Sequence, residues 1–204
     1  MCSSDLIDSY EAALALNPDI DDPLMKEQLL NSYLRSIIHM LESSSTTIED
    51  IGLAEQYYRK AVAMIPQSRA FASERGNLEQ VSSNLLELKF TQTASALLQE
   101  RYQTFSSISS AVTYLNKAVN LNPKNASLQI ALKNAQLYQV AFQNVLELDW
   151  TQAVRNLTQI VDVDPDYANG NASQLLLEAY HSLGKKYYSV GLYADARNYL
   201  EQAE

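Results

Sequence analysis

The chain has 204 residues, of which 47% are hydrophobic and 19% charged, and its formal net charge is −9 at pH 7. Length and composition are typical of a globular chain with one or two domains. The acidic balance disfavours nucleic acids and anionic membrane surfaces as partners, because both attract a positively charged face. No apolar run approaches the roughly 18 residues of a membrane-spanning helix. We therefore expect no nucleic-acid partner and no membrane insertion by this sequence.

Helix-forming residues dominate the sequence, and there are only five Gly and five Pro. Leu, Ala, Glu and Gln, which are frequent, favour α-helix over other structures. No long window alternates apolar and polar residues, as a half-buried strand would. The sequence therefore predicts an all-α fold.

The first six residues, MCSSDL, resemble the translated end of a common sequencing adapter joined to a metagenomic fragment. The alternative is a genuine N-terminus in which Ser3 caps the first helix. If the six residues are adapter, Cys2 is not natural, and the redox compartment cannot be deduced from the cysteine content. Localisation then stays open: cytoplasmic by default, extracytoplasmic if an anchor precedes this sequence.

Four stretches along the chain end in the same step into proline: ALALNPD, AVAMIPQ, AVNLNPKNA and IVDVDPD. Small or apolar residues precede each proline at spacings that keep them on one helical face. In chain order these residues are Tyr10 and Ala13; Ala54, Tyr58 and Ala61; Ala111, Leu115 and Ala118; and Ala153, Leu157 and Ile160. Because proline cannot continue a helix, each stretch predicts the second helix of a pair.

Helix starts are predicted from capping residues at two positions. Asp22 before Pro23 is typical of a helix that opens with proline in its first turn. Thr46 with Glu49 fits the reciprocal capping box. Residues 68–104 are predicted to be helical, either as one bent helix or as two.

The C-terminal stretch AYHSLGKKYYSVGLYADARNYLEQA carries the most complete motif. Its apolar and small positions are Tyr180, Leu183, Gly184 and Tyr187, then Gly191, Tyr193, Ala196, Leu200 and Ala203. This resembles the tetratricopeptide repeat (TPR), whose pattern is W-x2-L-G-x2-Y…A-x3-F…P. Tyr180 stands at the Trp position and Leu200 at the Phe position. By the same resemblance, Gly184 should let the two helices touch near Ala196, and Gly191 should serve the turn between them.

The resemblance implies an α-solenoid of antiparallel helix pairs stacked in a right-handed superhelix. We expect a single repeat domain over 1–204, with repeats at about 1–18, 23–66, 67–123, 124–165 and 166–204. The intervals between motif prolines exceed the typical repeat of about 34 residues, so the first helices of pairs should be lengthened. The terminal helices would expose apolar faces, whereas a solenoid needs polar caps, so we expect further repeats on either side.

No pattern predicts catalysis, a cofactor or a metal. His39 and His181 are far apart in sequence, and neither has a second His or Cys nearby, as a transition-metal site requires. No phosphate-binding glycine loop or nucleophile motif is visible. We therefore expect a protein that is not an enzyme.

One acidic segment, DVDPDYANG, superficially resembles a calcium-binding loop. Asp162, Asp164 and Asp166 alternate as the ligands of such a loop would. Tyr167 stands where that loop needs glycine, however, and Ser173 replaces its closing glutamate. A polar turn between repeats is the preferred interpretation.

In TPR arrays the first helix of each pair lines a concave groove that takes a segment of a partner. Transferring the groove positions gives Ala135, Tyr138, Phe142 and Val145 on one helix, and Glu178, His181, Lys185 and Tyr188 on the next. The predicted partner-binding residues are Tyr138, Phe142, Val145, His181, Lys185 and Tyr188. The alternative is that Tyr138 and Phe142 pack against the lengthened helix of an adjacent repeat.

The resemblance implies a protein-interaction scaffold that binds a protein or peptide segment. Two alternatives stay open: a regulatory or sensory array within a larger protein, and a cell-envelope assembly protein anchored by a preceding segment. The Lys and Asn constellation with which some TPR proteins clamp a C-terminal carboxylate is absent, so binding of chaperone tails is not implied.

Overall fold

The structure, a computed structural model, describes residues 3–17, 22–43, 45–64 and 72–203. Within these ranges it contains nine α-helices and no strand, which confirms the all-α prediction. The helices are α1 (Ser3–Leu16), α2 (Pro23–Glu42), α3 (Ile48–Met64), α4 (Ala72–Leu98), α5 (Phe105–Leu121), α6 (Ala126–Leu146), α7 (Trp150–Val161), α8 (Asn171–Ser189) and α9 (Tyr193–Glu201).

The chain divides into two compact units, Met1–Phe90 and Thr91–Glu204, and the boundary falls inside α4. Helix α4 is continuous from residue 72 to residue 98, so this stretch is one helix. The helix prediction was wrong at residues 99–104, which form a turn and a loop before α5. Residues 68–71 lie outside the described residues. The division of the chain into five repeats stays a prediction.

Each predicted second helix ends shortly before its motif proline. Helices α1 and α3 end at Leu16 and Met64, and helices α5 and α7 end at Leu121 and Val161. Pro18 and Pro66 themselves lie outside the described residues.

The motif residues of these helices form much of the core, as their spacing predicted. Ala54, Ala61, Ala111, Leu115, Ala118, Ala153, Leu157 and Ile160 are all buried. Tyr58, Tyr10 and Ala13 are half-buried. The spacing of small and apolar residues therefore identified the packed face of each helix.

The two predicted caps have different outcomes. The Asp22 carboxylate accepts hydrogen bonds from the backbone N–H groups of Leu24 (2.9 Å) and Met25 (3.2 Å), as predicted. The capping box predicted at Thr46 and Glu49 is wrong by one residue, because α3 begins at Ile48.

The capping box of α3 is formed by Thr47 and Asp50. Asp50 N–H donates to Thr47 Oγ1 at 3.1 Å, and Thr47 N–H donates to Asp50 Oδ2 at 2.8 Å. The Thr46 hydroxyl instead donates to the Ser43 carbonyl at 2.7 Å. A shorter carboxylate therefore closes the box in place of the expected glutamate.

In the first unit, a polar contact joins three helices. Lys60 Nζ lies 2.7 Å from Glu11 Oε1, and the Tyr33 hydroxyl donates to the same oxygen at 2.5 Å. The hydrogen bond from Lys60, followed by that from Tyr33, holds the pKa of Glu11 below its ordinary value. This contact links α1 to both α2 and α3.

In the second unit, each helix from α5 to α9 packs against the next one along the chain, and α6 also contacts α8. Helices α6 and α8 have 21 and 19 residues, whereas α7 and α9 have 12 and 9. Helices α6 and α8, which were predicted to be lengthened, are therefore longer than the helices that follow them. One cluster of buried side chains runs from the end of α4 to α8.

Candidate functional site

The groove positions transferred from the TPR family, which we call the predicted strip, lie on two helices that differ in exposure. On α6, Ala135 and Tyr138 are fully buried, and Phe142 and Val145 are half-buried. On α8, the equivalent residues are all exposed; they are Glu178, His181, Lys185 and Tyr188.

Tyr138 belongs to the core rather than to a binding surface. Its ring meets Phe142 edge-on with centroids 6.4 Å apart, and Tyr167 in the same way at 5.6 Å. Its hydroxyl donates to Gln103 Oε1. Tyr138 was predicted to contact a partner, but its side chain is 0% exposed. It packs against Tyr167 in a turn and Gln103 in a loop, and not against the helix that the alternative interpretation named.

The loop between α4 and α5, residues 99–104, lies against α6 and α8. Gln103, which accepts the Tyr138 hydroxyl, also donates through Nε2 to the Leu98 carbonyl. Asn171, the first residue of α8, donates through Nδ2 to the Glu100 carbonyl at 3.2 Å and to the Ala168 carbonyl at 2.7 Å. The loop is therefore anchored on both sides of residues 101 and 102.

Arg101 and Tyr102 project from this anchored loop. Both side chains are exposed, Tyr102 by 81%. The Arg101 guanidinium carbon lies 5.5 Å from the centroid of the Tyr102 ring, within the range of a cation–π contact. The loop thus presents a cation and an aromatic ring side by side.

Two adjoining cavities, of about 280 Å³ and about 510 Å³, open beside this pair. Together we call them the α6–α8 cleft. Its lining residues are Arg101, Tyr102, Gln103, Tyr138, Phe142, Asn169, Asn171, Gln174, Leu175 and Glu178. The combined volume lies in the range of sites that bind ligands or short segments.

The cleft combines an apolar floor with polar groups of both charges. Phe142 and Leu175 are half-buried and form part of the floor. Gln174 and Glu178, one helical turn apart on α8, are exposed. A segment bound here could therefore meet a cation, a carboxylate and an amide within one site.

The cleft brings together only part of the predicted site. Phe142 and Tyr138 line it, but Val145, His181, Lys185 and Tyr188 do not. Tyr188 lies further along α8, where its ring meets Tyr193 edge-on at 5.3 Å.

Sequence reasoning missed the loop residues and the first turns of α8. Arg101 and Tyr102 belong to no helical period, and Asn171 and Gln174 lie outside the transferred groove positions. Arg101 and Tyr102 fall within residues 68–104, which were predicted to be helical, and an arginine next to a tyrosine is too common a pair to identify a site.

A second groove, of about 750 Å³, lies in the first unit between α1 and α2. Arg35 and His39 line it, and the Tyr10 hydroxyl donates to Gln28 Oε1 at its edge. Leu6 is part of its wall. The α6–α8 cleft is the candidate site, because an anchored loop presents a cation and an aromatic ring at its edge.

The acidic segment between α7 and α8 forms a turn. Asp164 Oδ1 accepts a hydrogen bond from the Asp166 backbone N–H at 3.2 Å. Within the described ranges, no three His, Cys, Asp or Glu residues are placed to hold a metal ion. Over the same part of the chain, none of the helices combines the length and hydrophobicity needed to cross a membrane.

No protein-family model matches the chain. Searches of curated proteins and of solved structures likewise found no match.

Proposed function

We propose that the protein is a TPR-like interaction scaffold that binds an extended segment of a partner protein in the α6–α8 cleft. In this proposal α6–α7 and α8–α9 are antiparallel helix pairs of a right-handed superhelix. The cleft then lies on the face formed by the first helices of successive pairs.

The packing of the last pair supports the repeat architecture. A Cβ atom added to Gly184 would lie 2.6 Å from Leu200 Cγ and 3.3 Å from the Ala196 carbonyl oxygen. A side chain at residue 184 would therefore require Leu200 to move, since real Cβ atoms essentially never lie within 3.0 Å of another such atom. Gly191, at φ +81°, adopts the left-handed conformation that the turn between the two helices requires.

The anchoring of the α4–α5 loop is the single observation that carries the binding proposal. Arg and Tyr are enriched among the residues that contribute most to binding energy at protein interfaces. Hydrogen bonds from Gln103 and Asn171 fix the loop on both sides of Arg101 and Tyr102. A pre-organised pair loses less conformational entropy on binding than a mobile one.

The chemistry of the cleft specifies the segment that fits it. Arg101 favours an acidic side chain, because its exposed guanidinium can pair with a carboxylate. Phe142 and Leu175 favour an apolar side chain beside that acidic residue. The exposed Gln174 amide can donate to and accept from a peptide backbone. The proposed ligand is therefore an extended segment with an acidic and an apolar residue close together.

The test is selection of a random peptide library displayed on phage against the full chain, followed by affinity measurements on two double variants. The cleft variant is Arg101→Ala with Tyr102→Ala. The matched control is Lys185→Ala with Tyr188→Ala, which also removes one cation and one tyrosine, but from the part of the predicted strip outside the cleft.

We expect the selected peptides to contain an acidic residue next to an apolar one. The cleft variant should lose about 2 kcal/mol or more of binding free energy if Arg101 and Tyr102 dominate binding, and the control should lose little. Equal affinity for the cleft variant and the wild type, or loss in the control alone, would place the binding surface elsewhere.

A further inference from the structure

The connections between α6 and α7 (residues 147–149) and between α8 and α9 (residues 190–192) have three residues each. Connections this short join antiparallel helices. Helix α7 packs against both α6 and α8, and α6 also contacts α8. In the antiparallel pairing proposed above, the C-terminal ends of α6 and α8 therefore point in the same direction. Both connections then lie at one edge of the second unit.

The turn between α8 and α9 closes its helix with a Schellman motif. Leu192 N–H donates to the Tyr187 carbonyl at 3.0 Å, and Gly191 N–H donates to the Tyr188 carbonyl at 3.1 Å. This motif requires one residue in the left-handed conformation, which is usually glycine because glycine has no Cβ. Gly191, at φ +81°, is that residue.

The turn between α6 and α7 has the same hydrogen bonds but no glycine. Asp149 N–H donates to the Asn144 carbonyl at 2.8 Å, and Leu148 N–H donates to the Val145 carbonyl at 3.1 Å. Leu148 is the left-handed residue, at φ +60°. A leucine therefore stands where the equivalent turn has Gly191.

Leu148 is unfavourable at this position in two ways. The left-handed conformation costs free energy for a residue with a Cβ atom. Its side chain is also 66% exposed, so packing within this chain does little to offset the cost. Strain of this kind is concentrated at functional sites. A leucine here is explained if a partner buries it.

Leu148 belongs to a group of exposed apolar residues. Leu146, on the same turn, and Val190 and Leu192, on the neighbouring one, are exposed as well. We call these four residues the turn edge. Single exposed apolar side chains are common, whereas a group of them on one edge indicates an interaction surface.

The two ends of the turn edge differ in charge. Exposed Glu147 and Asp149 flank Leu148, and no basic residue occurs from 134 to 154. Exposed Lys185 and Lys186 precede the other turn, and only Asp195 follows it closely. The turn edge is therefore acidic at the α6–α7 end and net basic at the α8–α9 end.

We propose that the turn edge binds the turn edge of a second copy of this chain across a twofold axis. The α6–α7 turn of each copy lies on the α8–α9 turn of its partner, which buries Leu148 against the partner's Val190 and Leu192. The acidic end of one copy then faces the basic end of the other. Pairing of like turns would instead bring like charges together. A twofold axis forms each contact twice and closes the assembly at a dimer.

This inference rests on the antiparallel pairing in the proposed function, but it needs no ligand in the α6–α8 cleft. Sedimentation equilibrium of the full chain, up to millimolar concentration, measures the dissociation constant of the dimer. Leu148→Gly removes the exposed leucine and supplies the residue that the equivalent turn has. Val163→Gly is the matched control, because Val163 is also exposed and lies in the turn at the other end of α7.

We expect a monomer–dimer equilibrium for the wild type. Leu148→Gly should weaken it about tenfold or more, as the loss of an interface anchor does, and Val163→Gly should leave it nearly unchanged. The melting temperature of dilute Leu148→Gly should be equal to that of the wild type or higher, since glycine relieves the left-handed strain. A wild type that stays monomeric, or equal association of the wild type and Leu148→Gly, overturns the proposal. A series of species larger than the dimer would rule out the twofold arrangement.

A charge exchange tests the pairing of the two turns without changing Leu148. Glu147→Lys should weaken the dimer severalfold, because it places a cation opposite the partner's basic end. Adding Lys186→Glu to the same chain should restore association. No restoration would contradict the pairing of unlike turns.

The dimer and the cleft can fail separately. The cleft variant, Arg101→Ala with Tyr102→Ala, should dimerise as the wild type does, and Leu148→Gly should bind the selected peptides with unchanged affinity. A cleft variant that no longer dimerises would place the dimer contact at the cleft and overturn the proposal for the turn edge.

Discussion

Helices α6 and α8 occupy equivalent places in successive predicted repeats, yet their corresponding faces have opposite environments. On α6 this face carries Tyr138, which is 0% exposed, whereas on α8 it carries Tyr188, which is 64% exposed. The difference lies in what covers each helix. The α4–α5 loop and the turn at Tyr167 contact the α6 face through Gln103 and the Tyr167 ring.

This comparison shows that connecting segments, rather than the position of residues along a helix, decide whether a helix face is buried or exposed. Covering α6 buries its aromatic residues, but the same loop brings Arg101 and Tyr102 to the edge of the cleft. The site is therefore built from the loop and the start of α8, with α6 as its floor.

The largest expected loss of folding stability is that of Tyr138→Ala, and Tyr188→Ala is its comparison. Tyr138→Ala should destabilise the protein by about 3–5 kcal/mol, as the loss of a buried aromatic ring does. Tyr188→Ala should stay within about 0.5 kcal/mol of the wild type, because exposed side chains contribute little. Urea unfolding of both variants measures the two free energies. Similar losses of unfolding free energy in both variants would mean that Tyr138 is not buried more deeply on α6 than Tyr188 is on α8.

The next effect concerns the contact between α8 and α9. Gly184→Leu should cost roughly 1–3 kcal/mol by overpacking against Leu200. Gly52→Leu is the matched control, since a Cβ there meets nothing within 4 Å and leucine favours helix over glycine. Thermal unfolding should show a lower melting temperature for the first variant and an equal or higher one for the second. An unchanged melting temperature for Gly184→Leu would show that the two helices do not pack closely there.

A smaller effect is expected from the loop anchor. Gln103→Ala removes the acceptor of the Tyr138 hydroxyl and should cost about 1–2 kcal/mol. The control is Gln143→Ala, because Gln143 contacts Glu147 in an exposed pair on α6 and should matter little. Hydrogen exchange should also speed up at residues 99–104 in the first variant alone. Unchanged exchange in that loop would remove the argument for pre-organisation of Arg101 and Tyr102.

The sequence predicted the parts of this fold that follow a helical period. The buried residues Ala111, Leu115 and Ala118 could be identified because residues at this spacing lie on one face of a helix. The glycine contact at Gly184 followed from the TPR resemblance. A buried helix face and the Gly184 contact each depend on residues that are close in sequence or that belong to the same repeat motif.

The candidate site could not be predicted in the same way. Its elements are separated by about 70 residues, since Asn171 bonds to the carbonyl of Glu100. A loop has no period, so nothing in the sequence shows which helix it will cover. The prediction of the strip treated the corresponding faces of α6 and α8 as equally exposed. The loop covers Tyr138, so the two faces are not equally exposed.

The most direct test of the central claim is a hydrogen–deuterium exchange footprint of the full chain with a peptide selected as described above. A segment bound in the α6–α8 cleft should slow exchange at residues 99–104 and 171–178, and it should leave residues 185–190 unchanged. The contrary result is protection confined to residues 185–190, or protection that persists when Arg101 and Tyr102 are both replaced by alanine. Either outcome would show that the peptide does not bind in the cleft through Arg101 and Tyr102.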